Sequence, residues 1–91
     1  MQFEWDPKKA AANLRKHGVS FDDARTVFGD PLATTVLDRQ GSQREQRFLT
    51  TGLSQRGRVL IVWHTERGSR VRIIGAREAS SRERRTYESG E

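Results

Sequence analysis

Residues 58–65 constrain this chain most. Val59-Leu60-Ile61-Val62-Trp63 is an unbroken run of apolar residues rich in strand formers. A run that short and that continuous predicts a strand covered on both sides over at least its first half, hence a central strand. Turn sequences bracket it, Ser54-Gln55-Arg56-Gly57 before and Glu66-Arg67-Gly68-Ser69 after. Strand patterns at 47–53 and 70–77 lie beyond those turns. Connections so short make the three strands an antiparallel meander. Another strand is expected over 32–37, where Thr34, Thr35 and Val36 follow Pro31. The polar stretch 38–46 reads as an exposed loop.

The N-terminal third has a helical period. Asp6 is a good N-cap, Pro7 suits the first helical position, and Gly18 suits the left-handed residue that ends a helix. A helix is therefore predicted over 7–17, with Ala10, Leu14 and His17 on one face. A second follows from the cap Ser20, with Phe21, Ala24, Val27 and Phe28 at helical spacing, until Gly29-Asp30-Pro31 stops it. Together they make an αα-hairpin. Phe3 and Trp5 alternate just before it and suggest a short strand. At the other end, Ser80 and Glu83 have capping-box spacing and open a short C-terminal helix, charged nearly all round, with Tyr87 as its large apolar anchor. The expected architecture is α+β, with helices against one face of a mainly antiparallel sheet.

At 91 residues the chain supports one domain, 1–91. The absence of cysteine excludes disulfides, thiol catalysis and cysteine-ligated zinc. Two histidines offer no metal-ligand set of recognisable spacing, so neither metal nor cofactor is expected. No stretch approaches the roughly 18 apolar residues of a membrane span. The first six residues carry Glu4 and Asp6 and no apolar core, so no secretory signal is expected and a cytoplasmic location is. The net charge of +5 is unevenly placed. Residues 1–43 balance to zero, whereas residues 44–91 hold eleven Arg, no Lys and six Glu. A regional surplus made wholly of guanidinium groups points to an anionic partner, because the planar fork matches phosphate oxygens.

One candidate cluster follows from strand alternation. Leu60, Val62, His64 and Glu66 share a face that changes from apolar to ionisable. Arg70, Arg72 and Arg77 follow across the turn, and Arg47 lies on the neighbouring strand. Such groups suit cleavage of RNA by its own 2′-hydroxyl, which needs a base, an acid and positive charge on the transition state. His64 or Glu66 would move protons, Arg77 would stabilise charge, and Arg47, Arg72 and Arg82 would hold the RNA backbone. The plainer reading also stands: His64 as a strand-end residue satisfied by a hydrogen bond, Glu66 as a turn residue, and the arginines as a wet sheet face. On that reading the chain is a non-catalytic nucleic-acid-binding or protein-interaction module. Trp5 and Trp63 read as core residues rather than base-stacking platforms.

An ordered set of segments resembles a known family. They are Phe3-Glu4-Trp5-Asp6-Pro7, Asn13-Leu14-Arg15-Lys16-His17-Gly18-Val19-Ser20-Phe21, Val27-Phe28-Gly29-Asp30-Pro31 and Arg47-Phe48-Leu49. Thr51-Gly52-Leu53-Ser54, His64-Thr65-Glu66-Arg67-Gly68, Arg72-Ile73-Ile74-Gly75-Ala76-Arg77 and the stretch 81–88 complete it. In order and spacing they look like the BrnT toxins of bacterial type II toxin–antitoxin systems. The resemblance implies a RelE-like fold and a ribonuclease activity that blocks translation. It also implies neutralisation, in a hetero-oligomer, by a BrnA-type antitoxin with a ribbon-helix-helix part, through which the pair binds operator DNA and represses its operon. Arg77 and Arg82 are the positions it carries over; the roles of His64 and Glu66 come from the residues alone.

Overall fold

The computed structural model describes residues 1–41 and 44–90. The elements run β1 (Gln2–Glu4), α1 (Pro7–His17), α2 (Phe21–Arg25), a 3₁₀ turn (Thr26–Gly29), β2 (Thr34–Asp38), β3 (Arg47–Leu53), β4 (Val59–Arg67), β5 (Arg70–Glu78) and α3 (Ser81–Ser89). The strands form one mixed sheet in the order β1-β5-β4-β3-β2. The apolar run therefore occupies the middle strand. β2, β3, β4 and β5 pair antiparallel in sequence order, and only β1 pairs parallel, against the start of β5. Ser42 and Gln43, inside the expected loop, lie outside the described residues.

The cap residues act as their types dictate. Asp6 accepts from the Lys8 N–H at 2.8 Å, and Gly18 closes α1 at φ 69°. Ser20 accepts from the Asp23 N–H at 3.0 Å and starts α2. The expected helix over 21–28 is shorter than its spacing suggests, because the last part tightens into the 3₁₀ turn. Phe21, Ala24 and Val27 still point inward, since three-residue steps keep them on one side.

One sheet face is sealed by α1, α2 and the 3₁₀ turn. Val19, Phe21, Ala24 and Val27 pack there on Leu60, Val62, Ile73 and Ala76, with Phe3, Trp5, Ala10 and Phe28 around them. The inward side of α1 is Ala10 and Asn13, not the expected row Ala10, Leu14 and His17: Leu14 is 51% exposed and His17 is exposed. The reason is local. α1 lies along β5, whose backbone there needs polar partners that Asn13 supplies.

Candidate functional site

The opposite face of the sheet is only partly covered. Its residues follow from pairing. Ile61 stands opposite Thr51 and Arg77, Trp63 opposite Leu49 and Gly75, and Thr65 opposite Arg47 and Arg72. Alternation from Thr65 adds Arg67, which is paired with Arg70. Arg47, Arg67, Arg70, Arg72 and Arg77 thus share one face, running into an apolar patch of Val36, Leu49, Ile61 and Trp63.

α3 lies beside this patch and makes it a groove of about 880 Å³, lined also by Leu32, Arg77, Arg82, Glu83 and Tyr87. No residue of α3 is buried. Polar contacts hold it instead. The capping box forms in both directions: Glu83 N–H donates to Ser80 Oγ at 3.2 Å, and Ser80 N–H donates to Glu83 Oε1 at 2.8 Å. The same Glu83 carboxylate accepts both Arg77 terminal nitrogens, at 2.8 and 3.0 Å. Those bonds from Arg77 and the Ser80 N–H hold the Glu83 pKa down at about 2, and the Arg77 pKa is raised in turn. Near the other end of α3 the Tyr87 hydroxyl donates to Asp30 Oδ2. Asp30 also accepts from the Leu53 and Leu32 N–H groups, at 2.8 and 2.9 Å. Burial works against that carboxylate, yet these three bonds keep its pKa below the ordinary value.

Arg77 is the hub of the groove. Its guanidinium carbon sits 5.4 Å from the centre of the Trp63 ring while its fork holds Glu83. Trp63 is half-buried here and lines the groove, so it is more than the core residue that the sequence suggested. Arg72 donates to Glu4 Oε2 at 2.7 Å, and Arg70 lies 3.6 Å from the same carboxylate. The Arg72 hydrogen bond, which outweighs burial, lowers the Glu4 pKa. Arg82 is exposed at the groove margin and forms no ion pair with the described residues. Arg47 is half-buried in β3 at the far end of the face.

The expected gathering of His64 and Glu66 with these arginines does not form. His64 pairs with Ile73 and Phe48 on the sealed face and is 6% exposed. Its ring lies 4.8 Å from that of Phe28, edge-on, and stacks on Phe48 at 5.8 Å. Nε2 shares a 2.7 Å hydrogen bond with Thr50 Oγ1, which meets Thr35 Oγ1 at 2.7 Å; buried Nδ1 has no partner among the described residues. Burial pushes the His64 pKa from 6.5 to about 4. Glu66 is exposed on that same side, five strand positions from Ile61, the partner of Arg77. That spacing is roughly 17 Å along the strand. Alternation had paired His64 with Glu66 correctly, but it does not say which face the helices cover.

Sequence reasoning also missed Glu83 as a groove residue and Asp30 as the anchor of Tyr87. The capping-box spacing was visible, but its second use by Arg77 depends on how β5 and α3 meet. Among the described residues, no cluster of three or more His, Cys, Asp or Glu is placed to hold a metal ion.

The fold and this face define a small α+β domain that presents guanidinium groups beside a half-apolar groove, a surface suited to a polyanion. A family model described as "Ribonuclease toxin, BrnT, of type II toxin-antitoxin system" matches residues 5–83, and the chain belongs to that family. The crystal structure of the Brucella abortus ribonuclease toxin BrnT is similar in fold, with TM-score 0.66 at 23% identity, covering 89% of this chain and 99% of that one. No curated protein sequence matched the chain. Membership makes ribonuclease activity the family function, RNA the target and an antitoxin the partner. No helix among the described residues is long and apolar enough to cross a membrane.

Proposed function

We propose that this chain, with a RelE-like fold, is an endoribonuclease that cleaves RNA on its open sheet face without a metal ion. The observation that carries the reading is Arg77, fixed between Trp63 and Glu83 at the head of the groove, with Arg72 and Arg47 on the same face. RNA cleaved by its own 2′-hydroxyl passes through a phosphorane-like state with extra negative charge. A guanidinium matches two of its oxygens at once. Phosphate would take the Arg77 fork that Glu83 now occupies. Released from Arg77, Glu83 loses the main cause of its low pKa and is the nearest carboxylate to accept the 2′-hydroxyl proton. As the 2′-oxygen bonds to phosphorus, the bond to the 5′-oxygen breaks, leaving a 2′,3′-cyclic phosphate, and the 5′-oxygen takes its proton from water. Arg47, Arg72 and Arg82 hold flanking phosphates. His64 keeps a structural part, joining β3 to β4 through Thr50, and Glu66 lies too far from Arg77 to act at the same phosphate.

The partner we propose is a BrnA-type antitoxin with a ribbon-helix-helix part. It would cover the arginine face in a cytoplasmic hetero-oligomer and bring the pair to operator DNA. Cleavage of labelled RNA in EDTA is the test. Full activity is expected in chelator, and Arg77→Ala should lower it on the order of 100-fold. Activity lost in EDTA, or retained by Arg77→Ala, would reject the mechanism. Salt-sensitive RNA binding without fragments would instead favour a binding module. Adding antitoxin should stop cleavage and shield the groove arginines from a guanidine-modifying reagent. Inhibition that leaves them reactive would reject occlusion.

A further inference from the structure

Arg72 and Arg77 are five residues apart in one strand. In a regular strand an odd spacing puts side chains on opposite faces. Here both lie on the open face. The pairing explains this: Trp63 stands opposite Gly75 and His64 opposite Ile73, so Ile74 has no partner on β4. That extra residue is a β-bulge, and it shifts the phase of everything after it. Without it, with Arg72 held by Glu4, Arg77 would point under the helices and away from Trp63 and Glu83.

A bulge interrupts the ladder on its inner side, so the outer edge of β5 matters. β1 pairs with β5 only at Arg70, Val71 and Arg72. Beyond Arg72, among the described residues, no strand flanks that edge. The side chain of Asn13, from α1, takes the place of one. Its Nδ2 donates to Ala76 O at 2.8 Å, and its Oδ1 accepts from Ala76 N–H at 3.1 Å. This is the donor–acceptor pair that a neighbouring strand would present. Nδ2 also donates to Val19 O at 3.0 Å, which ties the amide to the chain after α1. Ala76 lies between the bulge and Arg77, so the clamp acts on the backbone that aims the guanidinium.

We propose that Asn13 is a positioning residue for RNA cleavage: by standing in for a missing strand at Ala76, it holds the bulge at Ile74 in place and keeps Arg77 in the groove. This rests on the reading of Arg77 given above. Asn is suited to the task where Asp is not, because a carboxylate would face the Val19 and Ala76 carbonyl oxygens.

The experiment uses two readouts. In a Trp5→Phe background, Trp63 is the remaining tryptophan, and its emission reports the guanidinium above it. Cleavage of RNA gives kcat and KM. Asn13→Ala and Asn13→Asp should lower kcat by on the order of 10- to 100-fold with little change in KM, and move Trp63 emission to that of Arg77→Ala. Ala12→Gly loosens the same helix at an exposed position; compared with an Asn13 variant of equal melting temperature, it should change neither readout. Folded Asn13 variants with native kcat and native emission would overturn the proposal. So would an Ala12→Gly enzyme that loses as much kcat. If Arg77→Ala itself cleaves normally, the reading of Arg77 fails and the positioning role falls with it. Normal kcat in the Asn13 variants beside a crippled Arg77→Ala overturns only the role of Asn13.

Discussion

His64 is a titratable group enclosed by two aromatic rings, and its burial has a measurable consequence. Its pKa falls from 6.5 to about 4 because the charged ring would lose its water. Between those two values the unfolded chain binds a proton that the folded chain refuses. Stability from this group is therefore complete above pH 6.5 and is lost as pH falls towards 4, by on the order of 3 kcal/mol across the window. His64→Gln keeps a partner for Thr50 but cannot titrate. Urea unfolding at neutral pH, pH 5.5 and pH 4 should give a flatter profile for the variant than for the wild type. An unchanged slope would place the titration elsewhere. Glu83 adds its own loss at pH 4, since its pKa is lowered from 4.5 to about 2, but it does so equally in wild type and variant, so the difference between the two profiles isolates His64.

Among the elements, α3 has the weakest hold. It buries no residue, and its hydrogen bonds to the rest of the fold are those of Glu83 to Arg77 and of Tyr87 to Asp30. A helix of nine residues is not stable alone in water. Its exposed arginines, Arg82, Arg84 and Arg85, become good trypsin sites once it opens. Tyr87→Phe removes a hydrogen bond to a carboxylate, a loss of about 1–3 kcal/mol in docking α3. Trypsin should then cut at these arginines several-fold faster while the main unfolding transition stays put, since the core residues are in other elements. Equal cutting rates in variant and wild type would mean that Arg77 and Glu83 hold the helix by themselves.

For the molecule as a whole, the surplus of +5 shows up on one face of the sheet and along α3. Much of it is already matched: Arg72 and Arg70 by Glu4, Arg77 by Glu83, Arg67 by Glu45. RNA phosphates must therefore displace carboxylates at some sites, whereas Arg82 meets phosphate without such a loss. Binding of single-stranded RNA should weaken with salt at a logarithmic slope of roughly −2 to −3, fewer contacts than the arginines present. Arg82→Ala should reduce that slope by about 0.7, whatever the RNA sequence. A slope near zero would mean that the groove binds bases and the arginines are bystanders.

Much of this was legible in the residues. The apolar run of β4 required a central strand. The caps Asp6, Ser20 and Ser80 marked helix starts, and the glycine-bearing turns set the meander, because these signals act over a few residues. Regional charge likewise located the arginines. Which side of β4 the helices would seal was not legible, and neither was the bulge at Ile74 or the clamp of Asn13 on Ala76. Alternation fixes only which residues share a face; the choice between faces, and the phase shift that joins Arg77 to Arg72, are settled by contacts between segments up to 63 residues apart.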